Sequence, residues 1–344
     1  MPTQTVYPNV VHTDPTGQTK QEFTSDQDVR WCPGCGDYAI LAQVQKLMPS
    51  LGISRENIVF VSGIGCSSRF PYYMNTYGIH SIHGRAPAVA TGIKAVRPDL
   101  TVWMVTGDGD GLSIGGNHLL HVLRRNVDVK ILMFNNQIYG LTKGQYSPTS
   151  PLGKKAKSTP LGSVDYPLDP VSVALGAGAT FVARTVDVNV KHIAETLKRA
   201  SQHQGTAFVE IYQNCPIFND AAFDYMTDKS TKDDHVLAME HGKPLRFGAN
   251  GEKGVALDAS MRPQIVDVAT YGEDKLLVHD ETNEVLSLIV SRLRHPEFPV
   301  PIGVFRSAER PSYDRMMNEQ VDAATKGNKK TLQQLLDAGS WTVT

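Results

Sequence analysis

The sequence lacks the marks of several large protein classes. None of its apolar runs approaches the roughly 20 residues needed to cross a bilayer, so no membrane partner is expected. Its 34 Lys and Arg residues nearly balance 35 Asp and Glu, leaving no basic excess to displace counterions from nucleic acid. The start, MPTQTVYPNVVHTDPTGQTK, has neither a basic head nor an apolar core, which predicts no secretory leader and a cytoplasmic protein. Only four cysteines occur in 344 residues, and in a cytosolic chain they are not expected to be structural disulfides. A hydrophobic fraction of 41% is nonetheless enough for one large domain, or two modest ones, with a buried core.

The most informative stretch is Val102 to Leu141: an apolar run, a Gly-Asp turn, an amphipathic segment, a second apolar run and an Asn-Asn turn. That order predicts a βαβ unit with both polar turns at the carboxyl ends of parallel strands, the edge where open α/β sheets bind ligands. Asp108 stands between Gly107 and Gly109. A carboxylate buried alone there would cost several kcal/mol, so a hard cation is the expected partner. Asn136 follows at the end of the next strand, in reach of the same ion. Mg²⁺ takes oxygen ligands in an octahedron and commonly keeps phosphate oxygens among them. Both residues are also ordinary turn formers.

Along the rest of the chain, residues 1–29 are polar and aperiodic and read as an arm, disordered or laid over a partner. RWCPGCGD then opens a helix with Ile40, Leu41, Val44 and Leu47 on one face and Asp37 as its N-cap. Helix-start amides favour thiolates at Cys32 and Cys35. Strands are predicted at 57–61, 101–106, 179–183 and 207–212, and helices from His80–Arg85 through 98, at 171–178, 191–203 and 283–293. The loop after Asn136 runs about thirty residues, a length usually functional or mobile. Beyond about 220 the pattern weakens to a C-terminal extension, 221–344, packing on the main domain or on a partner.

All four cysteines, Cys32, Cys35, Cys66 and Cys215, fall in turns, and none lies in an apolar run. Free cysteines that merely fill a core would sit among apolar residues. One CxxC pair plus two cysteines beyond strands suits a four-thiolate site assembled by the fold, and zinc and an iron–sulfur cluster both accept such a site. His118 and His121 lie a turn apart on a helix, without a third ligand in view.

GDG followed 28 positions later by the second residue of NN resembles the signature of thiamine diphosphate enzymes. The resemblance implies that Asp108, Asn136 and the main-chain oxygen of Ile138 hold Mg²⁺ on the cofactor's diphosphate. WCPGCG, GIGCSS, HGR, GDGD, NNQIYGLTKGQYSPT and CPIF, in this order over residues 30–220, resemble the β subunits of the 2-oxoacid:ferredoxin oxidoreductases. This implies a thiamine-diphosphate-binding α/β fold, mostly parallel with helices on both faces. It also implies a 4Fe–4S cluster on Cys32, Cys35, Cys66 and Cys215. Ile64, Gly65, Cys66, Ser67, His83, Gly109 and Leu141 would line the thiamine, and Lys143 would meet the substrate carboxylate. HGRAPAVATG and LTKGQYSPTSP resemble the two-subunit type that uses 2-oxoglutarate, with coenzyme A and ferredoxin as co-substrates; pyruvate and branched-chain 2-oxo acids are the alternative substrates, and a non-redox thiamine decarboxylase or synthase subunit, which the cysteines argue against, is the alternative enzyme.

Thiamine activation needs a glutamate on the aminopyrimidine ring, which in this family comes from an α subunit. An obligate partner is therefore expected, as an (αβ)₂ assembly. Protein purified without oxygen should be brown and bleach with dithionite; colourless protein would instead favour structural zinc.

Overall fold

The apolar runs predicted as strands lie side by side in one sheet. The computed structural model describes residues 15–327 and 330–341. Its strands are β1 (Ile58–Ser62), β2 (Tyr77–His80), β3 (Thr101–Gly107), β4 (Val129–Asn135), β5 (Phe181–Val186), β6 (Ala207–Tyr212), β7 (Val236–Ala238), β8 (Arg246–Phe247), β9 (Lys253–Leu257), β10 (Pro263–Asp267) and β11 (Val300–Ser307). Eight of them form a sheet in the order β2-β1-β3-β4-β6-β5-β11-β7, while β10-β9-β8 make a small antiparallel sheet. From β2 to β5 every pairing is parallel.

Parallel strands need crossovers that cover both faces, so the central strands are buried on both sides and read as continuous apolar runs. Burial of β1, β3, β4, β5 and β6 follows that rule. On one face Val59, Val61, Val102, Met104, Ile131 and Met133 pack with helices Ala86–Val96, Gly116–Arg125, Pro170–Gly176 and Glu284–Ser291. Alternate residues of the same strands, Ile58, Phe60, Trp103, Val105, Leu132 and Phe134, pack with helices Asp37–Leu47 and Val190–Gln202. The two-layer covering is the α/β architecture that the sequence resemblance implies.

Several local expectations change. His80 ends β2 instead of opening a helix, which begins at Ala86. Asp37 is the first helical residue, and the N-cap is Gly36. The first fourteen residues of the expected arm lie outside the described residues; farther on, Phe23 anchors the otherwise largely exposed segment to the core, fully buried beside Ile40 and Val44. Residues 221–344 supply two strands of the main sheet: β11 runs antiparallel to β5, and β7 pairs parallel with β11.

Strand order also places the ligand crevice. The chain leaves β1 toward β2 on one side and returns to β3 on the other, so the carboxyl ends of β1 and β3 flank a topological switch point. The Gly-rich turn after β1 and Asp108 after β3 both open there.

A buried charge cluster ties the sheet's centre to that edge. Arg184 on β5, 1% exposed, donates from Nε to Glu210 Oε2 at 2.6 Å and from Nη2 to Asp169 Oδ2 at 3.1 Å. Glu210 Oε1 accepts from Asn135 Nδ2 at 2.7 Å. Removing one partner from such a set strands the others without water. Arg184→Met is expected to cost about 3–5 kcal/mol of stability, read from urea denaturation; a cost near that of a surface substitution would contradict this role.

Candidate functional site

Asp108 opens a short helix, Asp108–Leu112, so the anticipated turn is in fact a helix start at the end of β3. Its carboxylate is 2% exposed, and no Lys, Arg or His forms an ion pair with it among the described residues. Two hydroxyls converge on one oxygen: Ser147 Oγ lies 2.5 Å and Thr149 Oγ1 2.7 Å from Asp108 Oδ2. Thr149 Oγ1 is also 2.9 Å from Asn135 Oδ1, which continues the chain of polar groups to Glu210 and Arg184. Burial raises the Asp108 pKa, and these hydroxyls only partly offset it. A buried carboxylate in this condition fits a cation.

The second acidic residue of the motif has a different task. Asp110, 3% exposed, accepts through Oδ1 from the backbone N–H groups of Ile64 (3.1 Å) and Gly84 (2.8 Å) and through Oδ2 from Thr106 Oγ1 (2.7 Å). His83 Nδ1 lies 2.7 Å from the same Oδ1. Asp110 therefore draws three loops together, those after β1, β2 and β3. A Cβ at Gly63 would come within 1.9 Å of its Oδ2, which explains glycine there.

One crevice is lined by Ile64, Gly65, Cys66, Ser67, His83, Asp108, Gly109, Asn136, Ile138 and Leu141, so the structure brings together every residue expected around the thiamine and Mg²⁺. Tyr139 closes one side; its hydroxyl donates to Gly109 O at 2.9 Å, and a Cβ on Gly109 would lie 2.2 Å from the ring. Lys143 is not on that lining. It is exposed, in the left-handed region at φ 75°, on the rim of the adjacent cavity.

That second cavity, about 240 Å³, is lined by all four cysteines with Arg30, Trp31, Arg69 and Lys143. Trp31 Nε1 donates to Cys66 O at 2.7 Å and fixes the turn after β1. A Cβ on Gly140 would lie 3.7 Å from both Cys66 Sγ and Cys215 Sγ, so the backbone of the NNQIYG loop runs close to both sulfurs. Among the described residues no three Cys, His, Asp or Glu side chains converge tightly enough for one ion. Four thiols on one cavity make a donor set that fits a four-thiolate metal group.

At Cys35 the structure does not give the lowered thiol pKa expected at the helix start. Burial dominates: it pushes Cys66 up to about 11 and Cys35 higher still, with the neighbouring Asp37 adding to both. Cys35 and Cys66 are therefore protonated in the metal-free chain, and loading a metal group on them must release protons.

Sequence reasoning used Asp37 only as a helix cap. It is fully buried, lines the crevice, and neither carboxyl oxygen has a hydrogen-bond partner that meets full geometry. Asp110, Tyr139, Ser147, Thr149 and Gln213 carry no role in the sequence analysis either, although all but Gln213 lie in its GDGD and NNQIYGLTKGQYSPT motifs. Desolvation, with Asp187 nearby, pushes the Asp37 carboxyl up to about 7 from its ordinary 3.8. The folded chain thus holds this proton more tightly than the unfolded one, so the contribution is present in full below pH 4 and is lost as pH rises through 7. In cofactor-free protein, Asp37→Asn should flatten that decline and raise stability at pH 8; thermal melts across pH with the same slope in both proteins would contradict it.

Residues 63–211 match the family model of the thiamine pyrophosphate enzyme, C-terminal TPP binding domain. The 2-oxoglutarate oxidoreductase subunit KorB of Mycobacterium tuberculosis is 53% identical over 333 residues, 95% of this chain and 89% of that protein. The 2-oxoacid:ferredoxin oxidoreductase 1 subunit beta of Aeropyrum pernix is 48% identical over 190 residues, 55% of this chain and 60% of its own length. A solved structure, the 2-oxoglutarate:ferredoxin oxidoreductase of Magnetococcus marinus with 2-oxoglutarate, coenzyme A and succinyl-CoA bound, aligns with a TM-score of 0.78 at 33% identity, covering 95% of this chain and 97% of that one. With the thiamine-domain match falling on the crevice and the long relative spanning nearly the whole chain, this protein belongs to the family of 2-oxoacid:ferredoxin oxidoreductase β subunits.

Proposed function

We propose that this chain is the β subunit of a 2-oxoglutarate:ferredoxin oxidoreductase, which joins 2-oxoglutarate and coenzyme A to give succinyl-CoA and CO₂ and passes two electrons singly to ferredoxin, or runs the reverse. One observation carries the reading: the crevice at Asp108 and the thiol-lined cavity share a wall made of Cys66, Asn136, Gly140, Leu141 and Gln213. A plain thiamine decarboxylase has no use for four thiols there. Thiamine diphosphate, when bound, supplies an electron sink for decarboxylation, and a 4Fe–4S cluster supplies a one-electron relay.

The residues divide these tasks. Asp108, Asn136 Oδ1 and the Ile138 carbonyl hold Mg²⁺ against the diphosphate, with Ser147 and Thr149 fixing the carboxylate. Cys32, Cys35, Cys66 and Cys215 hold the cluster. Asp110 orients His83 and the amide of Ile64 at the crevice, and His83 faces the diphosphate or substrate. Gly65, which has no Cβ, lets the cofactor approach the backbone closely, and Gly109 and Ser67 line the same crevice. Leu141 borders both cavities. Lys143, two residues on and exposed, pairs with the carboxylate of the incoming 2-oxo acid.

The crevice holds no glutamate among its described lining residues, so the aminopyrimidine acid–base group must come from an α subunit, in an (αβ)₂ assembly. Its absence costs about 10²–10⁴-fold in rate. Co-expressed with that partner, the protein should reduce viologen dyes only with coenzyme A present, and faster with 2-oxoglutarate than with pyruvate or branched-chain 2-oxo acids. The isolated chain should be nearly inactive. Coenzyme A-independent reduction, or a clear preference for pyruvate, would contradict the assignment.

A further inference from the structure

β4 and β6 pair in register, with Asn135 opposite Tyr212, so Asn136 and Gln213 leave the sheet side by side. Gln213 is 1% exposed and borders both cavities. Its side chain spans the wall between them: Oε1 accepts from Asn136 Nδ2 at 2.9 Å, and Nε2 donates to Cys35 Sγ at 3.3 Å and to Asn214 O.

We infer that Gln213 is a positioning residue that couples the two cofactor sites, one amide setting both the orientation of Asn136 toward the cation and the hydrogen bonding of a cluster-ligating sulfur. The inference rests on the function proposed above. Donor–acceptor inventory fixes the orientation. A ligating thiolate only accepts, so Gln213 must turn its NH₂ toward Cys35. Its oxygen then faces Asn136, and only the NH₂ of Asn136 can meet it. Asn136 Oδ1 is thereby turned away from Gln213; it accepts from Ile138 N at 3.2 Å and keeps a second lone pair for a cation. Asn219 Nδ2 donates to the backbone oxygen of Asn136 at 2.8 Å, so the residue is held from both ends. On the other side, an N–H aimed at sulfur stabilises the reduced, more negative cluster, which raises its potential.

Two substitutions in the complex with the partner subunit, purified without oxygen, separate the two roles. Gln213→Met is neutral and similar in size, and removes both the donor and the amide acceptor. Gln213→Glu keeps an acceptor for Asn136 but offers sulfur no donor. The Met variant should shift the cluster midpoint to more negative potential in a redox titration followed by electron paramagnetic resonance. It should also weaken Mg²⁺-dependent thiamine diphosphate binding about 10–100-fold by calorimetry. The Glu variant should share the negative shift but bind the cofactor as wild type does. An unshifted potential in either variant, or unchanged cofactor affinity in the Met variant, overturns the coupling. Should the Met variant fail to assemble, an unshifted potential in the Glu variant still overturns the coupling. A wild-type complex with no iron–sulfur signal overturns the proposed function, and this inference with it; a wild type with the signal but unresponsive variants overturns the inference alone.

Discussion

A carboxylate buried without a basic side chain is the constraint on which this structure turns. Asp108 and Asp110 stand two residues apart at the end of β3, both almost wholly shielded from water. Asp110 is satisfied inside the protein by two backbone amides, a threonine hydroxyl and a close histidine, and spends those bonds holding three loops together. Asp108 receives only hydroxyls from protein side chains, both at one oxygen. An uncompensated charge in such a place costs several kcal/mol. A divalent cation would offset that cost, and the Mg²⁺ proposed on the diphosphate would supply it.

Sheet geometry decides what sits beside that ion. The register of β3, β4 and β6 delivers Asp108, Asn136 and Gln213 to one edge, and the switch point between β1 and β3 opens the crevice next to them. The two loops that carry Cys66 and Cys215 leave the same edge, after β1 and β6, while the helix start that carries Cys32 and Cys35 packs against them. Adjacent cavities therefore follow from strand order and register. Leu141, Gly140 and Asn136 line both of them, so an electron relay held by the thiols would sit next to the thiamine crevice.

Much of this was readable in the chain because the signals are local. The βαβ unit around Asp108 shows as two apolar runs with polar turns, and the cysteines declare themselves by sitting in turns instead of apolar segments. Other features are long-range. β11 pairs with β5 across more than a hundred residues, and the three residues of β7 carry no periodicity, so nothing local marks the C-terminal third as part of the sheet. β2 is an exposed edge strand of four residues, without the apolar run that betrays a buried one. Thiol protonation was misread because the helix-start field was visible in the sequence and the burial that outweighs it was not. Gln213 looked like any polar residue after a strand; only its position between Asn136 and Cys35 gives it meaning.

The central claim is that a divalent ion and an iron–sulfur cluster occupy neighbouring cavities with a shared wall. Replacing Mg²⁺ by Mn²⁺ in the complex with thiamine diphosphate, then reducing the cluster, places two paramagnetic centres on either side of that wall. Electron paramagnetic resonance should show mutual broadening and accelerated relaxation of both signals, absent when the Mn²⁺ or the diphosphate is withheld. Two independent, unperturbed signals would mean that the centres lie far apart, and would contradict the account.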